Sequence, residues 1–132
     1  MKNFDDWNVV KKQVDSKSEI ITYKERDIFW VNLGENVGFE QNGKDTAFLR
    51  PVVVIRKFSK NLFFGVPLST STKDGNFFYQ FSFIENKIST ALLVQAKTFD
   101  VKRLERRIGM IGKRDFEIMK EKLKDLIFLP QK

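Results

Sequence analysis

Residues 28–56, IFWVNLGENVGFEQNGKDTAFLRPVVVIR, decide how the rest of the chain is read. The stretch opens on IFWVNL, an apolar and β-branched run whose alternation predicts a half-buried strand over 28–33. It closes on PVVVIR, whose continuous apolar run predicts a strand covered on both faces, running over 50–57. Pro51 is tolerated there because the first positions of a strand lose no essential ladder bond. Between the two strands lies a polar loop with glycines at 34, 38 and 43, ending on Arg50. A loop tethered at both ends to rigid strands is a usual place for recognition or chemistry. An arginine at the lip of a covered strand is placed to meet a phosphate or a carboxylate.

Downstream, short strands with turn signals continue. NLFFGVPL predicts a strand over 61–68, and the hydroxyl-rich turn STSTKDGN (69–76) closes on Asp74-Gly75, a hairpin signal. FFYQFSFI (77–84) alternates as a return strand, residues 85–87 turn again, and STALLVQAKT (89–98) reads as one further strand. Residues 100–108, DVKRLERRI, fit either a short helical turn or a strand. Residues 115–126 form the clearest helix, with Phe116, Met119, Leu123, Leu126 and Ile127 at helical spacing and Asp115 and Glu117 in its first turn. Its apolar stripe is expected to close one end of a small, strongly curved β-barrel. Upstream, Phe4, Trp7, Val10 and Val14 share a stripe and predict a short amphipathic helix, either packed on the barrel as a lid or offered to a partner. The expected organisation is therefore a helical extension over 1–20 and a barrel domain with a terminal helix over 21–132.

Composition narrows the chemistry. The 132 residues contain no cysteine and no histidine. Disulfides, a thiolate nucleophile, Ser-His-Asp and Cys-His sites and paired-histidine ribonuclease chemistry are all excluded. The net charge of +7 suits a polyanionic partner, nucleic acid or an acidic protein segment. No run approaches the ~18 apolar residues of a membrane span, and the N-terminal residues carry no apolar signal core. The expected location is cytoplasmic, with no membrane partner.

Alone, Arg50 reads as a strand-capping surface cation, and Ser69-Thr70-Ser71-Thr72 as ordinary turn composition. Together they carry more weight. Arg50 begins one strand and Ser69 ends the next, so antiparallel pairing brings them to the same end of the sheet.

These segments also resemble the MazF/PemK (Kid) family of toxin–antitoxin endoribonucleases. IFWVNLGENVGFEQNGK followed by RPVVVI is similar to that family's opening strand, G-x-E-Q loop and R-P-hydrophobic run. VPLSTS (66–71) looks like its hydroxyl-bearing P-V-T-S segment, and ALLVQAKTFDVKRLERRIG (91–109) is similar to its L-L-x-Q-x-R-T-I-D-x-x-R-L segment. In consistent order the resemblance covers about residues 25–128. It implies an SH3-like barrel of the CcdB/MazF type, with Arg50 in the place of the catalytic arginine and Ser69, then Thr70, in that of the hydroxyl. Glu40 and Gln41 match the loop's E-Q pair behind Gly38, and Gln95 matches the later glutamine. Two positions depart from the pattern: Phe39 stands where many members carry a serine, and Val94 where some carry an acid.

The implied activity is metal-independent cleavage of single-stranded RNA, leaving 2′,3′-cyclic phosphate and 5′-hydroxyl ends, with no cofactor. Phe39, Phe48 and the aromatics at 77–79 are candidate base-stacking groups, and Lys44 and Lys73 candidate phosphate contacts. The basic segment 97–114 is a candidate RNA path or a seat for an acidic antitoxin tail. The resemblance further implies a homodimer, a cognate acidic antitoxin that blocks the RNA groove, and DNA contact only through that antitoxin. Two readings of other classes stay open: a CcdB-like barrel that poisons DNA gyrase, and a catalytically weak RNA-binding module.

Overall fold

A computed structural model describes residues 21–33 and 49–128. The expected helix over 4–17, and with it the 1–20 extension, lies outside the described residues, as does the loop carrying Phe39, Glu40, Gln41, Lys44 and Phe48.

Among the described residues, seven antiparallel strands and one α-helix follow in order: β1 (Asp27–Asn32), β2 (Leu49–Lys57), β3 (Leu62–Ser69), β4 (Phe78–Ile84), β5 (Lys87–Leu92), β6 (Lys97–Asp100), β7 (Leu104–Met110) and α1 (Lys113–Phe128). They pair in the order β4-β5-β3-β2-β1-β7, with β6 added alongside β3. The apolar run of β2 is covered on both faces, as its composition predicts. Val53 and Ile55 enter one core cluster with Ile28, Leu68, Ile111 and the helix residues Phe116 and Met119. Val52 and Val54 enter the other, with Phe29, Val31, Phe63, Phe99 and Leu104. One face of the sheet is therefore roofed by α1. The opposite face is filled by Tyr23 and by residues of β6, β7 and the turn between them.

Two expectations are corrected and one open segment is resolved. Among the described residues, backbone pairing does not close the expected barrel: the ladder runs from β4 to β7 and has two ends. Those ends approach through side chains, the Phe83 ring of β4 lying against Gly109 of β7, where a Cβ would sit 2.7 Å from the ring. The single strand expected over 89–98 is broken by a 3-10 turn, Leu93–Gln95. It is a corner: β5 pairs with Leu68–Ser69 at the end of β3, whereas β6 pairs with Leu62–Gly65 at its start, so the chain must turn between two neighbours of one bent strand. The ambiguous segment 100–108 is a 3-10 turn, Val101–Arg103, and then a strand. The Asp100 carboxylate accepts from the Lys102 N–H at 2.8 Å and starts the turn. The β1–β7 pairing is irregular at two places, between Ile28 and Phe29 and between Trp30 and Val31. Such bulges bend and twist a sheet edge.

The termini of the elements are fixed by specific polar groups. Arg26 adopts φ 80° and is held there by three bonds: its N–H to the Val54 carbonyl, its carbonyl to the Ile111 N–H, and Nε to the Ile111 carbonyl. The Asp27 carboxylate, 3% exposed, accepts from the Lys24 N–H and from Arg107 Nε at 2.9 Å. The two-residue β4–β5 turn places Asn86 at φ 63°, a conformation asparagine tolerates well. Near the start of β4, the Tyr79 hydroxyl donates to Asp115 Oδ1 at 2.6 Å, tying β4 to the first turn of α1. On the helix, Phe116 and Met119 are buried as the spacing predicts, but Ile127 is 73% exposed.

Candidate active site

β2 begins where β3 ends, and this is what assembles the site. Val52 faces Pro67 across the β2–β3 pair, so two residues further along Arg50 comes beside Ser69. The Arg50 side chain is tied to that end of β3, its Nη1 donating to the Leu68 carbonyl at 3.0 Å. Arg50 is only 2% exposed, and burial pushes its guanidinium's pKa below the ordinary arginine value. A buried guanidinium acts through a lower effective dielectric than a surface one, so its pull on an approaching anion is stronger.

Arg50, Ser69 and Thr70 all border one cleft of about 250 Å³. Leu49, Arg50 and Pro51 contribute in succession, which marks a cleft at a strand's end rather than one lying over a single sheet face. Trp30, Phe83, Ile84, Ile88 and Ile108 supply apolar walls, and Lys87 and Ser89 supply polar groups at its edge. Ser69 is half-buried and its Oγ accepts from the Ser71 N–H at 3.1 Å, so the turn presents the hydroxyl in a defined rotamer. A cation and a hydroxyl at the mouth of a mainly apolar cleft can hold a phosphodiester while an unpaired base or ribose occupies the apolar part.

Other expected site residues are placed elsewhere. Lys73 is exposed in the β3–β4 turn, where its carbonyl accepts from Gln80 Nε2 at 2.9 Å and its ammonium lies 5.8 Å from the Phe78 ring centre. Gln95 sits in the 3-10 corner and does not line the cleft. The basic segment divides. Arg107 is engaged with Asp27, Arg103 Nη1 donates to the Asn32 carbonyl at 3.1 Å, and Lys97 lies 5.3 Å from the Phe99 ring centre. Lys102, Arg106, Lys113 and Arg114 are exposed. The β4–β5 hairpin's contribution to the cleft is missing from the motif-based reading. Its signal in the sequence is weak, since Phe83, Ile84 and Ile88 look like ordinary strand apolars until the two ends of the ladder, β4 and β7, are brought together.

Among the described residues, no helix is long and apolar enough to cross a membrane. Residues 24–127 match the sequence profile of the PemK-like, MazF-like toxins of type II toxin–antitoxin systems. No curated protein sequence matches the chain. Among solved structures, the fold is similar to a MazF from Deinococcus radiodurans (17% identity, 81% of this chain and 97% of that one, TM-score 0.66). It is also similar to the Mycobacterium tuberculosis toxin MazF-mt6 (16% identity, 80% and 100%, TM-score 0.61). A mycobacterial endoribonuclease in complex with its cognate antitoxin is a third neighbour (10% identity, 84% and 100%, TM-score 0.61).

Proposed function

Because the chain belongs to the PemK/MazF toxin family of type II toxin–antitoxin systems, we propose that it is an endoribonuclease whose working groups are Arg50 and Ser69. The observation that carries this reading is the Arg50 guanidinium anchored on the Leu68 carbonyl, one residue from the Ser69 hydroxyl, at the edge of the 250 Å³ cleft.

In the proposed reaction the ribose 2′-oxygen attacks the adjacent phosphorus in line. The 2′-O–P bond forms, the P–O5′ bond breaks, and cyclic phosphate and 5′-hydroxyl ends result. The pentacovalent transition state concentrates negative charge on its non-bridging oxygens. Arg50 meets that charge with fixed N–H groups, stabilising the transition state more than the ground state. Ser69, supported by Thr70, holds the phosphate in the orientation that in-line attack requires. The guanidinium keeps its proton, so the 2′-hydroxyl proton passes to water and the 5′-oxygen takes one from water. No step calls for a metal ion. Single-stranded RNA fits because in-line geometry needs a splayed backbone.

The same reading supplies the partners. An antitoxin covers the cleft, and a second copy of the chain completes the toxin dimer. Ile84 and Ile88, 43% and 56% exposed beside the cleft, are apolar surface that a partner would cover. The test is cleavage of a long single-stranded RNA by purified protein, with and without EDTA, and with Arg50→Ala and Ser69→Ala. EDTA-insensitive products ending in cyclic phosphate, lost in Arg50→Ala, are the expected result. Gyrase inhibition without RNA cleavage, or RNA binding without products, would overturn it.

A further inference from the structure

The row that carries the two working groups continues across the sheet. Val31 faces Arg50, Ser69 faces Thr90, and Thr90 faces Gln80; carrying the Val52–Pro67 register two residues on sets Arg50 opposite Ser69 and joins them into one row. Directly opposed residues of antiparallel strands project from the same face. Thr90 therefore stands on Ser69's side of the sheet as its cross-strand partner. It is 1% exposed, and its Oγ1 has no hydrogen-bond partner among the described residues. Its neighbour Ala91 is fully buried in the core, and valine would fill the Thr90 site with the same shape and no desolvated hydroxyl. A hydroxyl that costs stability in the free protein and sits opposite a candidate catalytic serine calls for a role in the working complex.

We infer that Thr90 is a positioning residue for the proposed cleavage, its hydroxyl donating to Ser69 Oγ when substrate is bound. This rests on the nuclease reading above. Ser69 Oγ already accepts one bond, from the Ser71 N–H. A second, from Thr90, fills its remaining acceptor capacity and leaves the serine hydrogen to the phosphate oxygen. A hydroxyl that accepts two bonds is polarised into a better donor. Opposed Cβ atoms in such a pair are ~4.5–5.5 Å apart, which puts the two hydroxyls within reach of each other by side-chain rotation. No covalent step passes through Thr90.

The experiment is single-turnover RNA cleavage by the full chain with Thr90→Val, Thr90→Ser, Ser69→Ala and the Thr90→Val/Ser69→Ala double variant, beside thermal melts of each. Thr90→Val is expected to lower the cleavage rate on the order of tenfold, less than the ~10²–10³ of losing a direct contact to the developing charge. RNA affinity falls by less than the cleavage rate, and the variant melts no lower than the parent protein. Thr90→Ser retains cleavage close to the parent rate. In the Ser69→Ala background Thr90→Val has no further effect, the non-additivity expected of a residue that acts through its neighbour. Parent-like cleavage by Thr90→Val, an undiminished effect in the Ser69→Ala background, or a Thr90→Ser as slow as Thr90→Val overturns the assignment while the nuclease reading stands. A parent protein that cleaves no RNA overturns both.

Discussion

The Phe83 ring lies against the α-carbon of Gly109, and a methyl group built there would stand 2.7 Å from ring carbon Cδ2 and 3.0 Å from Cε2. This contact brings together the two ends of a ladder that backbone pairing leaves open. It also sets one wall of the cleft, since Phe83 and Ile108 both line it.

Gly109→Ala therefore forces the ring aside and separates β4 from β7. A destabilisation of about 1–3 kcal/mol is expected, the usual range for overpacking a filled site. Urea denaturation measures it. Adding Phe83→Leu should recover part of the loss; strictly additive losses would show that the two residues do not press on each other.

Arg50→Ala is expected to reduce RNA cleavage by ~10²–10³. Arg50→Lys should recover little of this, because an ammonium offers no planar fork and the lysine stem would have to reach the Leu68 carbonyl as well. Cleavage rates beside far-ultraviolet circular dichroism of each variant separate lost chemistry from lost fold. A lysine variant with full activity would show that only a positive charge is needed.

The Tyr79 phenol is pushed up to about 12, chiefly by burial and then by its bond to the Asp115 carboxylate. The folded state thus keeps its proton over a range in which the unfolded chain, titrating near ~10, loses it. Fewer protons bound in the unfolded state mean that stability falls as pH rises from ~10 to about 12. Tyr79→Phe should flatten that part of the stability profile. Equal slopes for both proteins between those limits would contradict it.

Asp27 and Arg107 form an unequal pair, the carboxylate side chain 4% exposed and the arginine side chain 47%. Asp27→Ala strips the Lys24 N–H and Arg107 Nε of their shared acceptor in a part-buried setting, and a loss of about 1 kcal/mol is expected. Arg107→Ala removes a cation that solvent already reaches, while Asp27 keeps its bond from Lys24, so a smaller loss should follow. Melting temperatures of the two variants give the order, and the reverse order would refute this account.

The strands with uninterrupted local signals were readable without coordinates: β2 from RPVVVIRK, β4 from FFYQFSFI, and the 85–87 turn from its polar residues. So was the end-to-end meeting of Arg50 and Ser69, since hairpin-like antiparallel order alone brings a strand's start beside the next strand's end. The corner at Leu93–Gln95 was not, because Leu93 is as apolar and as buried as its strand neighbours and alternation does not register a change of partner strand. Residues 100–108 were undecided for a similar reason: strand β7 exposes Glu105, Arg106 and Arg107 in succession at a sheet edge, so it shows no alternation.

What the amino-acid order determined by itself was which residue types were at hand: no imidazole, no thiol, one arginine ahead of a buried run and a cluster of hydroxyls after the next. Local pattern and chemistry suffice for that, because strand period and turn chemistry act over a few residues. Only the tertiary structure decided which of those groups meet. The bend of β3 between β6 and β5, the approach of Phe83 to Gly109, and the register that sets Thr90 opposite Ser69 are contacts between residues 21 to 38 positions apart. Such contacts are selected by the packing of both sheet faces at once, and no short window of sequence contains them.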